Sequence, residues 1–114
     1  MNMTRRFLHV TLSALGDNAE DVAEFLFVGG WRGLRNDPFG CPVAVYLRNV
    51  MPTVVSAAAS VNGISITTND GESVHIETPP GPAAFIAEFD DGGYGDLALW
   101  LTNNVGDAID DIER

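Results

Sequence analysis

The 114-residue sequence contains no lysine, a single cysteine and two histidines, and it has no apolar run close to the 18 residues that cross a bilayer. One cysteine excludes an internal disulfide framework, and one cysteine with two histidines is too few for an ordinary zinc site within one chain. We therefore expect no metal, no cofactor and no membrane span. Hydrophobic residues make up 46% of the chain, enough for one core, so residues 1–114 are predicted to form a single domain.

Basic residues are scarce in the second half of the chain. Residues 1–57 contain five arginines and five acidic residues, whereas residues 58–114 contain eleven acidic residues against Arg114 alone. The net charge of -10 therefore falls entirely in the second half. Such a field repels nucleic acid and attracts basic proteins. We expect a protein partner, basic in charge, and no direct binding of nucleic acid.

The first sixteen residues have a superficial likeness to a twin-arginine export signal, because Arg5 and Arg6 precede an apolar stretch. That stretch is short, is interrupted by His9 and other polar residues, and leads directly into an acidic segment, all of which is unlike a signal peptide. We predict a cytoplasmic protein whose first element is a helix, with a strand as the alternative. Its buried side would consist of apolar residues, namely Phe7, Val10, Leu12 and Leu15.

Two further helices are indicated by capping and proline signals. Asn18 and Asp21 form a capping-box pair, which predicts a helix over residues 18–28 that ends at Gly29-Gly30. Residues 31–40 are rich in turn-forming residues and are predicted to be a loop, whose glycines do not have the spacing of a phosphate-binding loop. Pro42 opens a third helix, which ends before Pro52.

Cys41 lies just before this third helix, where the helix dipole lowers the pKa of a thiol. A catalytic thiol also needs a base and an oxyanion site, and the only imidazoles are distant in sequence, at His9 and His75. We therefore predict a small, half-buried structural residue at this position and no essential thiol.

The run from Gly30 to Arg48 contains a Cys-Pro-aliphatic-Ala-x-Tyr-Leu helix start at Cys41. It resembles a segment of small uncharacterised proteins of actinobacteria and their phages, and the stretch from Pro80 to Tyr94 resembles the second half of the same group. The resemblance implies a shared fold and an origin in an actinobacterium or a bacteriophage. It implies no activity, no cofactor and no functional residue.

From Thr53 the apolar period changes from 3.6 to 2, which predicts a three-stranded antiparallel meander over residues 53–77. The Asn62-Gly63 pair is a strong hairpin signal, and a two-residue turn there would place Gly63 at positive φ. This turn would pair Ala59 with Ile66.

The second hairpin is predicted to have a three-residue loop, residues 69–71, with Gly71 in the left-handed conformation. This loop would pair Ile66 with Val74 and Ile64 with Ile76. Because side chains alternate along a strand, His75 would then face solvent.

Prolines at positions 79, 80 and 82 end the sheet and start a helix whose buried side is Phe85, Ile86 and Phe89. The acidic, glycine-rich residues 90–96 do not place ligands at the positions of a calcium loop. Asp96 is the predicted N-cap of a last helix that continues to Ile112. The predicted fold is α+β, with three N-terminal helices, a three-stranded antiparallel meander and two C-terminal helices, all on one face of the sheet.

No pair of catalytic groups emerges from the sequence, so we predict a protein that is not an enzyme. The expected function is that of a small acidic protein-binding or regulatory module, encoded by a phage or mobile element. The alternative is a nucleic-acid mimic that inhibits a host DNA-binding or defence protein. The arginine-containing first half of one copy could contact the acidic second half of another, which would form a homodimer. The sequence does not distinguish a homodimer from a monomer. The predicted partner-binding residues are Trp31, Arg32, Arg35, Asp90, Asp91, Asp107, Asp110 and Asp111.

Overall fold

The computed structural model describes residues 3–99, which form an α+β fold. The elements in chain order are α1 (Met3–Ser13), α2 (Ala19–Gly29), α3 (Pro42–Val50), β1 (Val54–Ala59), β2 (Ile64–Thr68), β3 (Ser73–Ile76) and α4 (Pro80–Asp90). The three predicted N-terminal helices, the meander and the helix after the prolines are confirmed. The described part of the chain therefore has four α-helices and one three-stranded antiparallel sheet.

The helix predicted to begin at Asp96 does not begin there. Gly95–Leu97 form a single 3₁₀ turn, after which Ala98 is extended. The extended backbone arises because Gly33 and Ala98 form a parallel bridge, in which the Leu99 amide donates to the Gly33 carbonyl at 2.7 Å. The remainder of the predicted helix lies outside the described residues.

The helix α1 is confirmed, and the prediction of its buried side is correct for Leu12 and Leu15 but wrong for Phe7 and Val10. Leu8, Leu12 and Leu15 are fully buried, whereas Phe7 and Val10 are 49% and 67% exposed. A helix turns by about 100° per residue, so the apolar residues of α1 form two stripes, roughly 140° apart. Only one of them can face the core. The Tyr46 hydroxyl donates to the Thr11 carbonyl at 2.9 Å and so ties α1 to α3 with the leucine stripe inward.

The ends of α2 and α3 follow their predicted signals. The Asp21 amide donates to the Asn18 side chain at 2.8 Å, which caps the first turn of α2. Gly30 ends α2 in the left-handed conformation, with φ of 83°. Pro42 is the first residue of α3, where its missing N–H costs no hydrogen bond. Both helices therefore have boundaries that are encoded locally.

The sheet has the order β1-β2-β3 and presents one buried face and one exposed face. The predicted second hairpin is confirmed, because Ile66 pairs with Val74, Ile64 pairs with Ile76 and Gly71 has φ of 90°. His75 is exposed on the outer face of the sheet, as predicted.

The predicted register of the first hairpin is wrong by two residues. Ala59 pairs with Ile64 rather than with Ile66, and the Ser60 amide donates to the Gly63 carbonyl at 3.0 Å, so the turn residues are Val61 and Asn62. Neither Asn62 nor Gly63 has a positive φ. Ser60 selects this turn, since its carbonyl accepts the Thr78 hydroxyl at 2.6 Å and its own hydroxyl donates to Gly63. A slip of two preserves which side chains face the core.

The core lies between the inner face of the sheet and the helices. Phe85 and Phe89 of α4 are fully buried and stack at 5.5 Å, and α4 packs closely against α2. Gly81 permits this approach, since a Cβ at that position would lie 2.3 Å from the Gly16 carbonyl oxygen. Within residues 3–99, no helix has the length and apolar character needed to cross a membrane.

Candidate interaction surface

The outer stripe of α1 forms one wall of an apolar cleft. Met3, Phe7 and Val10 recur at helical spacing along this stripe, and Met3 is 71% exposed. The opposite wall is the segment from Met51 to Thr53, which joins α3 to β1. The cleft measures about 510 Å³, enough to receive several apolar side chains, and Arg6 lies at its rim. It therefore combines apolar walls with one cationic edge.

A second apolar cleft lies between α2 and α3. It measures about 480 Å³, and Phe25, Val28 and Val50 contribute to its walls. Its floor is aromatic, because the Tyr46 ring makes edge contacts with Phe25 at 5.6 Å and with Trp31 at 5.9 Å. Val28 is 77% exposed at its rim. These rings are fixed by one another and present a preformed apolar surface.

The two clefts adjoin one another. Val50 lines the second cleft and the next residue, Met51, lines the first. The hydrogen bond from the Tyr46 hydroxyl to the Thr11 carbonyl also joins the second cleft to the α1 residue that follows Val10. We refer to the residues of both clefts together as the α1–α3 surface, defined by Met3, Phe7, Val10, Phe25, Val28, Trp31, Tyr46, Val50 and Met51.

Two of the sequence-predicted partner residues lie at the C-terminal end of α2. Trp31 is partly buried and belongs to the α1–α3 surface. The Arg32 guanidinium lies 4.9 Å from the centroid of the Phe27 ring and donates to the Trp31 carbonyl at 3.0 Å. Arg32 therefore covers the ring of Phe27, whereas the charged residue that lines the second cleft is Glu24.

Two others, Arg35 and Asp90, meet at the C-terminal end of α4. Arg35 donates to the carbonyls of Phe89 and Gly93, the latter at 2.8 Å, and its guanidinium lies 4.7 Å from the Phe89 ring centroid. The Asp90 carboxylate accepts the Asn36 amide at 2.8 Å. We call this arrangement the α4 clamp. A cation at the negative end of a helix is stabilised by the dipole, so these groups have a role within the fold.

Of the other predicted acidic residues, Asp91 is exposed just after α4. Asp107, Asp110 and Asp111 lie outside the described residues. The structure thus divides the predicted set in two, with Trp31 and Arg32 beside the α1–α3 surface and Arg35 and Asp90 in the α4 clamp.

Burial raises the pKa of the Cys41 thiol to about 11, which reverses the effect expected from its place before α3. The amides of Ala44 and Val43 act in the opposite direction and lower the pKa, but desolvation is the larger effect. The sulfur lies 3.8 Å from the Ala59 carbonyl oxygen. A thiol in this setting is protonated at neutral pH and packs as a small apolar residue.

His9 and His75, distant in sequence, line one open cleft together with Arg5 and Glu77. The Arg5 guanidinium donates to the His75 carbonyl at 3.0 Å, and His75 Nδ1 lies 2.7 Å from the Ser65 hydroxyl. The Ser65 and His75 side chains are both exposed on the outer face of the sheet. Among residues 3–99, no three His, Cys, Asp or Glu side chains are grouped so that they could hold a metal ion.

Tyr94 is influenced by acidic side chains of both α2 and α4. The Tyr94 hydroxyl donates to the Glu88 carboxylate at 2.5 Å, and this hydrogen bond, with a smaller electrostatic effect of Glu20, raises the pKa of Tyr94 to about 12. The first turn of α2 therefore contributes to the same negative region as α4.

Comparisons with protein-family models, with curated proteins and with solved structures found no match to this chain. The resemblance to small actinobacterial and phage proteins therefore stays a prediction.

The sequence reasoning missed the α1–α3 surface because it assigned Phe7 and Val10 to the core. A signal for it was present in the second apolar stripe of α1. One stripe is formed by Met3, Phe7 and Val10, and the other by Leu8, Leu12 and Leu15. Because the core can bury only one side of a helix, one of the two apolar stripes must stay exposed.

Proposed function

We propose that this protein is a non-catalytic binding module that contacts another protein through the α1–α3 surface. The main supporting observation is the exposed stripe of α1, where Phe7 and Val10 form part of a wall of the first cleft and remain exposed to solvent. Contiguous exposed apolar residues rimmed by polar ones are typical of protein interaction sites. Burial of the remaining exposed area of each such side chain by a partner would contribute about 1–2 kcal/mol.

The shape and charge of the surface define the class of partner. Its apolar walls are formed mainly by helices, Arg6 lies at the first cleft, and Glu24 is the charged residue among those that line the second. An amphipathic helix laid into a groove matches such walls with apolar residues at spacings of three and four. A carboxylate at the end of that helix nearest the first cleft would complement Arg6. The proposed partner segment is therefore an amphipathic helix with one acidic end.

Selection from a library of random peptides tests the proposal. Displayed peptides are selected on the immobilised protein, and enriched sequences are synthesised and titrated against two variants, Val10→Glu and Val55→Glu. These positions are matched in residue type and exposure, at 67% and 60%, but Val55 lies on β1 and lines neither cleft. We expect Val10→Glu to weaken binding at least about tenfold, the equivalent of 1.4 kcal/mol, and Val55→Glu to have little effect. Equal effects of both variants would contradict the proposal.

The acidic side of the molecule supports a second candidate, a nucleic-acid mimic for a basic host protein. It is favoured by Glu20 of α2 and Glu88 of α4, both of which act electrostatically on Tyr94. A mimic would displace DNA from a DNA-binding protein in low salt, and Glu20→Gln with Glu88→Gln would reduce that displacement. Displacement unchanged by these substitutions would argue against the mimic.

A further inference from the structure

The described chain ends beside the α1–α3 surface. Gly33 donates to the Leu97 carbonyl at 2.9 Å and accepts the Leu99 amide at 2.7 Å, which fixes the backbone of residues 97–99. Gly33 follows Trp31 by two residues, and Trp31 lines the second cleft. Residues 100–114 therefore start close to one end of the surface.

The sequence of residues 100–114 has the pattern that the surface would accept. Its apolar residues recur mainly at intervals of three and four, and they are Trp100, Leu101, Val105, Ala108, Ile109 and Ile112. Such a pattern gives a helix with one apolar side. This segment of the same chain thus has the amphipathic character proposed above for a partner.

The charge of the segment is opposite to that of the first cleft. Residues 100–114 contain four carboxylates, at Asp107, Asp110, Asp111 and Glu113, against Arg114 alone. Arg6 lines the first cleft and lies in the first turn of α1, a turn that contains no acidic residue. The positive end of the α1 dipole adds to its charge. Carboxylates at the far end of the segment would meet this cationic end of the surface.

Residues 100–114 are long enough to reach from the second cleft to the first. Fifteen residues span about 22 Å as a helix and up to roughly 50 Å when extended. The nine residues of α3, which run from the neighbourhood of Gly33 towards the first cleft, cover about 13 Å. The segment can therefore reach α1 within the same molecule.

We infer that residues 100–114 bind to the α1–α3 surface of their own chain and cover it until a partner displaces them. This inference rests on the proposed function, since it assigns to the binding surface an internal competitor. The intramolecular contact needs no partner concentration, so a weak interaction is enough to keep the surface covered. A partner then binds with an affinity reduced by the fraction of molecules in which the surface is covered.

Paramagnetic broadening in the full-length chain tests the inference. A nitroxide is attached to Glu113→Cys, which reacts selectively because Cys41 is buried and its pKa is raised to about 11. We expect the amide signals of Phe7 and Val10 to lose more than half of their intensity, while those of Ser65 and His75 on the outer sheet face keep theirs. Broadening that is absent from α1, or equally strong on the outer sheet face, would overturn the inference.

Two controls identify the occupant. Ile109→Asp combined with Ile112→Asp, added to the labelled chain, is expected to abolish the broadening on α1, and persistence of broadening would contradict apolar docking. A mixture of spin-labelled unenriched protein with isotope-enriched unlabelled protein is expected to show none. Broadening in that mixture would mean that the segment binds a second copy, which would overturn binding within one chain.

The proposed function and this inference can fail separately. If selected peptides bind in a Val10-dependent way but the spin label produces no broadening on α1, the surface binds partners and the segment does not cover it. If the inference is correct, the Ile109→Asp and Ile112→Asp chain binds the same peptides more tightly than the native chain. Equal affinity of the two chains would also overturn it.

Discussion

The α4 clamp and the α1–α3 surface are built from the same kinds of residue but use them differently. In the clamp, Arg35 satisfies two carbonyls at the end of α4 and stacks on Phe89, which is fully buried. On the α1–α3 surface, Phe7 remains half exposed beside a cleft. The difference shows that an arginine next to an aromatic residue does not by itself indicate a binding site, whereas uncovered apolar side chains in a row do.

The largest expected contrast between the two regions concerns phenylalanine. Phe85→Ala, in the stacked pair of α4, should lower the free energy of unfolding by about 3–5 kcal/mol because it leaves a cavity in the core. Phe7→Ala removes the same atoms from an exposed position and should cost less than about 1 kcal/mol. Urea titrations of both variants measure the difference. Similar losses would mean that Phe7 belongs to the core.

The next largest effect is expected at the clamp. Arg35→Met keeps much of the side-chain volume but removes the donors to Phe89 and Gly93, so we expect a loss of about 2 kcal/mol. Arg35→Lys should recover only part of it, because an ammonium cannot reproduce the planar guanidinium contact with the Phe89 ring. Thermal melts check both variants. Full recovery by lysine would show that charge alone, rather than geometry, holds the clamp.

Substitutions at two glycines compare a closely packed backbone position with an open one, near the segment that joins the two regions. Gly33 is buried where residues 97–99 join the loop before α3, and a Cβ there would lie 2.4 Å from the Gly40 carbonyl oxygen and 2.5 Å from the Pro42 nitrogen. Gly33→Ala should therefore destabilise the protein by about 1–3 kcal/mol. Gly95→Ala is the control and should be close to neutral, because no atom of residues 3–99 lies within 4 Å of a Cβ at that position. An equally small effect at both positions would contradict the described backbone approach.

A smaller and pH-dependent effect is expected at Cys41, which lies in the core between the two regions. Its pKa is raised in the fold from 9.0 to about 11, so the folded state holds the proton more tightly than the unfolded state. The corresponding stability is present below pH 9 and is lost as the pH rises towards 11, by about 1 kcal/mol between pH 8 and pH 10. Urea midpoints of the native chain and of Cys41→Ala over this range isolate the thiol. Parallel pH profiles would contradict the assigned pKa.

The parts of the fold that could be predicted are those whose sequence signals involve residues close together in the chain. The caps of α2, the proline start of α3 and the Gly71 turn depend on neighbouring residues, and the structure has all three where they were predicted. The first hairpin was misplaced because Ser60 is held by Thr78, eighteen residues away. The alternation pattern could not distinguish two registers that bury the same side chains.

The candidate site was harder to predict because the choice of buried face on α1 is a tertiary property. Two stripes of similar apolar character compete for the core, and the leucine stripe is the one that faces inward, where the Thr11 carbonyl accepts the Tyr46 hydroxyl of α3. The role of Arg35 was equally hidden, since the carbonyls that it binds lie more than fifty residues later in the chain. The sequence predicted Arg35 to bind a partner, whereas in the fold its guanidinium binds the carbonyls at the end of α4.

Site-specific photocrosslinking in the cells that produce this protein will show whether it makes its contacts through the α1–α3 surface. A photoreactive phenylalanine analogue is placed at Phe7 in one chain and at Val55, on β1, in another. We expect adducts from position 7 that map to residues 100–114 of the same chain or to a single partner protein, and no discrete adduct from position 55. Adducts from position 55 with none from position 7 would contradict the account.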